Sequence, residues 1–243
     1  MTWTGGFGSA CGWLLDKIVH GLALTRISPN FLTFIGLVIN IVAAFFFGHA
    51  SSVNAGRYFF YGGLVIIGAG LFDMVDGRVA RRTNQVTVFG AFFDSVIDRY
   101  SDVVLFFGVL VYYARVNHFR YVVLTAFVMV TSLMVSYTRA RAEALIGSCK
   151  VGFMERPERI VLIILGALFQ WAGVMAPVLW VLAILSTITV VHRIQYTYWN
   201  TKHLSPMSEL PPAATPPVTA QTASPAAPAR EPVLAREDAR LPS

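Results

Sequence analysis

Apolar residues fall in blocks along the chain, separated by short polar stretches. The first block lies near 31–47, the second runs from near 58 past 71, and the third covers about 88–113. The fourth lies around 121–137, the fifth covers about 160–171 with an amphipathic start before it, and the sixth covers about 178–194. A run of about 20 apolar residues crosses the hydrocarbon of a bilayer as a helix. Within lipid, only helices and closed barrels satisfy their own backbone polar groups. The blocks therefore predict an all-α integral membrane chain with six transmembrane helices. Ahead of them, Trp13-Leu14-Leu15-Asp16-Lys17-Ile18-Val19-His20 keeps helical spacing with one apolar face but is too polar to span. That pattern predicts an N-terminal amphipathic helix lying in the membrane interface.

Composition agrees with this. Hydrophobic residues make up 56% of the 243 and charged residues only 13%, against about 25% charged in an ordinary soluble domain. The mean hydropathy is +0.61. A net charge of +6 would suggest nucleic acid on a soluble protein. Here the cations sit between apolar blocks, so no nucleic-acid partner is expected. They fit membrane orientation, anionic lipid heads and phosphorylated substrates instead. One set of loops holds Arg78, Arg81, Arg82, Arg139, Arg141, Lys150, Arg156 and Arg159, and the opposite set holds Arg57, Arg115 and Arg120. The richer set is expected in the cytoplasm, which with six spans puts both termini there. Cys11 and Cys149 lack any metal or redox spacing and read as small apolar fillers. The first residues lack a basic region ahead of an apolar core, so no cleaved signal is expected. After about Ser205, Pro, Ala, Thr and Ser dominate, as in Pro211-Pro212 and Pro216-Pro217. Such a tail is expected to be disordered. The predicted organisation is thus a juxtamembrane segment over 1–26, a six-span domain over 27–203 and a tail over 204–243.

The second and third blocks carry Asp73, Asp76, Asp94 and Asp98 in or beside strongly apolar sequence. An intramembrane carboxylate is costly and points to function. Asp73 and Asp76 are three apart, and Asp94 and Asp98 four apart, so each pair shares a helix face. A short link between the helices lets them pack antiparallel, with the pairs facing each other. Four carboxylates at close quarters need cations between them, and hard oxygen ligands suit Mg²⁺ or Mn²⁺. Two such ions would form a clamp for displacement at phosphorus. Gly77 and Gly90 give room for close backbone approach or a nucleotide, and Arg81 can offer a guanidinium fork to phosphate. A cation or proton transporter using the aspartates as a relay is the alternative from another class.

The stretch from Asp73 to Arg81 reads D-M-V-D-G-R-V-A-R, and that from Gly90 to Asp98 reads G-A-F-F-D-S-V-I-D. Together, with eight residues between them, they resemble the signature of the CDP-alcohol phosphotransferase family, DxxDGxxAR followed by GxxxDxxxD. Upstream, Ser28-Pro29-Asn30-Phe31-Leu32-Thr33 resembles that family's opening of its first core span, which adds Asn30 and Thr33 to the binding residues. The resemblance implies a six-span helical fold, a homodimer, and a site near the cytoplasmic face. It implies that Asp73, Asp76 and Asp94 hold the metals, with Asp98 as general base and further ligand. Gly77, Ala80 and Arg81 would line the cytidine nucleotide site. An acceptor hydroxyl would attack the β-phosphorus of a CDP-linked lipid, and CMP would leave. Asp102, one turn past Asp98, is outside the signature and reads as structural.

The acceptor is read from later stretches. Arg139 and Arg141 stand where the fourth block ends, Pro157 suits the first turn of the next helix, and Arg159 lies on that turn. His192-Arg193 adds a cation near the end of the sixth block. Converging guanidiniums would make a receptor for a phosphate dianion. Ser136-Tyr137-Thr138-Arg139-Ala140-Arg141-Ala142-Glu143 and Glu155-Arg156-Pro157-Glu158-Arg159 are similar to motifs of the bacterial phosphatidylinositol-phosphate synthases and their archaeal ether-lipid counterparts. Carried over, Ser136, Arg139, Arg141, Arg159 and Arg193 would bind the phosphate of inositol 1-phosphate, with CDP-diacylglycerol as donor. A phosphatidylglycerophosphate synthase using glycerol 3-phosphate is the near alternative.

Overall fold

Each predicted block becomes a helix, and most run past the apolar limits of their block, but the fifth, expected to reach about 171, ends at Leu168. The structure, a computed structural model, describes residues 29–82 and 87–202, with the side chains of Pro29, Phe72 and residues 74–82 outside the description. The predicted interfacial helix at 13–20 and the predicted tail lie outside the described residues. In chain order the helices are α1 (Pro29–His49), α2 (Ala55–Arg82), α3 (Val88–Arg115), α4 (Phe119–Ile146), α5 (Arg156–Leu168) and α6 (Met175–Thr201), with a 3₁₀ turn at Gln170–Ala172 before α6. No strand occurs among the described residues.

The helix ends follow local chemistry. Thr87 caps α3, its hydroxyl accepting from the Gly90 N–H at 2.9 Å, which satisfies an otherwise orphaned donor. Gly147 ends α4 with φ at 75°, a conformation glycine enters without a Cβ penalty. Pro157 sits in the first turn of α5, where its missing N–H costs nothing.

The helices alternate in direction. Phe47 of α1 stacks on Phe59 of α2 with ring centroids 4.7 Å apart, and near the other end Gly36 of α1 lies against Asp73 of α2. The two helices are therefore antiparallel. α1 and α3 run parallel and very close: a Cβ on Gly108 would stand 2.5 Å from the Ala44 carbonyl oxygen. α2 also packs on α5, and α4 packs on α3 and α6. An aromatic cluster fills the end away from the aspartates, where Phe59 meets Tyr112 edge-on at 4.8 Å and Tyr113 stacks on Tyr121 at 4.9 Å. The outward faces stay apolar: Phe34, Phe45, Phe107, Phe127, Val130, Trp180, Ile184 and Ile188 are all exposed. Apolar surface on this scale calls for lipid or a partner rather than water.

Three described helical segments are long and apolar enough to cross a membrane: Asn30–His49, Phe119–Ile146 and Met175–Thr201. The other three predicted spans depart from that standard for separate reasons. The apolar part of α2 is the shorter segment Ala55–Leu71, and its remainder carries the aspartate motif. α3 has 28 residues, but Asp94, Asp98, Arg99 and Asp102 interrupt its apolar character. α5 has only 13 residues, about 20 Å at 1.5 Å per residue, short of a hydrocarbon core of about 30 Å. The acidic residues of α2 and α3 and the charged start of α5 gather at one end of the bundle, while Arg57 and Arg115 lie at the other.

Candidate active site at the polar end

Because the helices alternate, the C-terminal ends of α2, α4 and α6 meet the N-terminal ends of α1, α3 and α5. The charged motifs sit at these ends. Asp73 comes from α2, Asp94, Asp98 and Asp102 from α3, Arg139 and Glu143 from α4, Arg156 and Arg159 from α5, and Arg193 from α6.

The centre of the cluster is Arg156. Its two terminal nitrogens both donate to Asp73 Oδ2 at 3.2 Å. Nη1 also lies 3.0 Å from Asp98 Oδ1, and Nε lies 3.8 Å from Asp102 Oδ1. Carboxylates from two helices thus converge on one cation. Room for this comes partly from Gly36, where a Cβ would stand 2.9 Å from Asp73 Oδ1. One turn deeper, Arg159 Nη2 donates to Asp102 Oδ2 at 2.6 Å. Arg159 is 1% exposed and Asp102 is 4% exposed, so this is a fully buried ion pair. Asp98 and Asp102, four apart on α3, face Arg156 and Arg159, three apart on α5, as two matched rungs. Asp102 is therefore the counter-ion of the buried Arg159.

A cavity of about 520 Å³ opens beside these rungs. Its wall contains Asp98, Ser136, Arg139, Arg156, Arg159 and Arg193, together with Glu143 and Glu155. Arg139 bridges two carboxylates, with Nε 3.0 Å from Glu143 Oε1 and Nη1 2.8 Å from Glu155 Oε1. Buried Arg193 donates from Nε to the Val151 carbonyl at 2.9 Å and from Nη1 to the Val135 carbonyl at 2.5 Å. Its Nη2 reaches Glu155 Oε1 at 3.4 Å. Arg193 thereby ties α4, the segment before α5, and α6 together. Gly152, with φ at 113°, lets that segment lie against Thr189 of α6, and the Met154 N–H donates to the Thr189 hydroxyl at 3.2 Å. Arg159 Nε and Nη1 have no hydrogen-bond partner in the protein, and neither does Arg156 Nε. An orphaned guanidinium edge is costly in a buried site unless an anion satisfies it.

Of the residues predicted for the acceptor, Ser136, Arg139, Arg159 and Arg193 line this one cavity beside Asp98. Arg141 does not line it. It is exposed and borders a separate groove of about 260 Å³ with Tyr137, Thr138 and Tyr198. Because α4 continues as a helix through Arg139 and Arg141, residues two apart point to different sides. Asn30 lies beside Gly90, whose Cβ would stand 3.3 Å from Asn30 Oδ1, and Thr33 is buried on α1. Asp94 lies one turn before Asp98 and is exposed. The side chains of Asp76, Gly77, Ala80 and Arg81 are outside the description, although the α2 backbone continues as helix through all four.

Among the described residues, no group of three or more acidic, His or Cys side chains is arranged to hold a metal ion. Even so, Asp73 and Asp98 already share one cation in Arg156, and their oxygens are the hard donors that Mg²⁺ or Mn²⁺ takes. The residues present fit such an ion. The spacing did not single out Arg156 and Glu155 as site residues. The legible signal was the match of Asp98 and Asp102 to Arg156 and Arg159 at helical spacing.

Residues 26–192 match the family model described as CDP-alcohol phosphatidyltransferase. The archaetidylinositol phosphate synthase of Pyrococcus horikoshii is 38% identical over 182 residues, covering 74% of this chain and 88% of that protein. The crystal structure of Mycobacterium tuberculosis phosphatidylinositol phosphate synthase with CDP-DAG bound aligns with a TM-score of 0.68 at 32% identity, covering 82% of this chain and 98% of that one. The same enzyme in complex with manganese and citrate aligns with a TM-score of 0.68 at 32% identity, covering 82% of this chain and 93% of that one.

Proposed function

The chain belongs to the CDP-alcohol phosphatidyltransferase family, and from that premise we propose that it transfers a phosphatidyl group from CDP-diacylglycerol to inositol 1-phosphate, giving phosphatidylinositol phosphate and CMP. The observation that carries the acceptor is Arg159. It is buried and paired on one side with Asp102, its Nε and Nη1 have no partner in the protein, and the residue lines a cavity that also holds Arg139 and Asp98. A phosphate dianion satisfies such an edge, whereas a neutral alcohol or zwitterion does not. The names of the relatives support the same acceptor class.

In this reading Asp73, Asp76, Asp94 and Asp98 hold Mg²⁺ or Mn²⁺, as two ions, which when bound offset charge on the donor diphosphate. Gly77, Ala80 and Arg81, with Asn30 and Thr33, receive the cytidine nucleotide. Arg139, Arg159 and Arg193 fix the acceptor phosphate, and Ser136 adds a hydroxyl. Arg141 stands apart from that wall and takes a smaller part. Asp98 accepts the proton of the acceptor hydroxyl. That oxygen forms a bond to the β-phosphorus, the bond from β-phosphorus to the bridging oxygen breaks, and CMP departs. Six crossings, the arginine-rich polar end in the cytoplasm and a homodimer complete the reading. Lys202 over the Trp199 ring at 4.9 Å supplies the aromatic and cationic anchor expected at that interface.

The test separates the two roles. Asp98→Asn should lower CMP release by about 10²- to 10⁴-fold, the usual range for a general base, with little change in the KM of inositol 1-phosphate. Arg159→Ala should instead raise that KM. An unchanged acceptor KM in Arg159→Ala would remove the proposed phosphate pocket. Nucleotide-independent, pH-dependent ion flux would favour the transporter reading.

A further inference from the structure

Glu155 and Arg156 are adjacent residues at the start of α5, and their side chains go to opposite halves of the site. The Glu155 carboxylate lies among the guanidiniums that face the cavity, 2.8 Å from Arg139 Nη1 and 3.4 Å from Arg193 Nη2. The Arg156 guanidinium lies among the carboxylates, 3.2 Å from Asp73 Oδ2 and 3.0 Å from Asp98 Oδ1. We propose that this dipeptide is an internal pair of counter-ions, in which Arg156 competes with the divalent cation for Asp73 and Asp98 while Glu155 competes with the acceptor phosphate for Arg139 and Arg193.

The physical reason is shared atoms. Asp73 Oδ2 already accepts from both terminal nitrogens of Arg156. A carboxylate oxygen engaged by a guanidinium fork is not available for tight metal coordination, so ion binding requires the fork to give way. Arg139 Nη1 and Arg193 Nη2 face the same choice between Glu155 and an incoming phosphate. The two competitors are consecutive residues at the start of α5, so each ligand displaces a side chain from the same short stretch of chain. Neither residue is left neutralised at random: the N-cap position of Glu155 makes no side-chain cap hydrogen bond, so its carboxylate is committed to the arginines rather than to its own helix. Both are positioning residues, acting through the ligands they release.

The proposal rests on the metal-dependent transfer reading, and its test is built to fail separately from it. The full chain in detergent is titrated with Mn²⁺, and free ion is followed by its paramagnetic resonance signal. Arg156→Gln should bind Mn²⁺ at least about tenfold more tightly than wild type, the effect of removing a competing charge-assisted contact. Arg99→Gln, which removes equal charge from the same cavity wall without touching Asp73 or Asp98, should shift affinity less than about threefold. Equal tightening in both would show a general field effect and overturn the competition, as would unchanged or weaker binding in Arg156→Gln. Arg156→Lys, which keeps the charge but loses the fork, should fall between wild type and Arg156→Gln and serves if the latter fails to fold. In the second arm Glu155→Gln should lower the KM of the phosphorylated alcohol at least threefold with kcat kept, and an unchanged or raised KM overturns that half. Normal CMP release without any shift in Mn²⁺ affinity sinks only the competition, whereas no Mn²⁺ binding and no CMP release in any variant sinks both.

Discussion

Asp102→Asn should destabilise the protein far more than an ordinary surface change. Asp102 and Arg159 are 4% and 1% exposed, and their closest atoms are 2.6 Å apart. At an effective dielectric of about 20 the attraction at that distance is about 6 kcal/mol, and desolvation of both ions offsets much of it. What remains decisive is the asymmetry: removing one partner leaves a buried unpaired charge and costs about 3–5 kcal/mol, whereas replacing both by apolar groups of similar size is often neutral. Arg156 Nε stands 3.8 Å from Asp102 Oδ1, so the substitution also loosens the rung above. Equilibrium unfolding in mixed detergent micelles should therefore show Asp102→Asn losing about 3 kcal/mol, at the low end because the amide still accepts a hydrogen bond. The pair Asp102→Leu with Arg159→Met should recover stability to within about 1 kcal/mol of wild type. That double variant should still bind the phosphorylated acceptor about 10- to 100-fold more weakly, since one charge-assisted contact is gone. A loss below about 0.5 kcal/mol in Asp102→Asn, typical of surface sites, would refute the buried-pair reasoning. So would a double variant no more stable than the single one.

Two glycines give further tests. Gly36→Ala places a Cβ 2.9 Å from Asp73 Oδ1, so it should weaken Mn²⁺ binding and lower CMP release while leaving unfolding nearly unchanged; wild-type Mn²⁺ affinity would show that Asp73 moves freely. Gly108→Leu drives a side chain into the Ala44 backbone, 2.5 Å from a Cβ, and should cost about 1–3 kcal/mol through overpacking; unfolding measured in micelles checks it, and wild-type stability would mean α1 and α3 can separate without cost.

Much of this arrangement is legible in the sequence, for identifiable reasons. Apolar blocks locate the helices because membrane-facing residues are apolar on every side, but they underestimate length. The fourth block ends near 137, whereas α4 continues to Ile146, because a helix does not stop where its surroundings turn polar. That continuation makes Arg139 and Glu143 an i,i+4 pair and turns Arg141 to another face. The aspartate motif marks the two helices that supply the carboxylates, but α2 and α3 make little direct contact; each packs on α1, and it is Arg156 of α5 that joins Asp73 to Asp98. The partner of each charge was harder to see. Arg156 reads as a loop cation in sequence, and only the packing of α5 on α2 carries it to Asp73. Asp102 reads as structural, and the structure gives that role its content in the pair with Arg159. Arg193 looks like one more cation at a helix end, yet two backbone carbonyls from distant segments hold it. Such long-range pairings leave no local periodicity to read.

The most direct test is CMP release by the purified chain with CDP-diacylglycerol and Mn²⁺ or Mg²⁺, comparing inositol 1-phosphate, free inositol, glycerol 3-phosphate and serine, each with and without chelator. Metal-dependent release with inositol 1-phosphate alone is the predicted result. Release with glycerol 3-phosphate alone would keep the aspartate chemistry and contradict the acceptor, and no release with any alcohol would contradict the transfer itself.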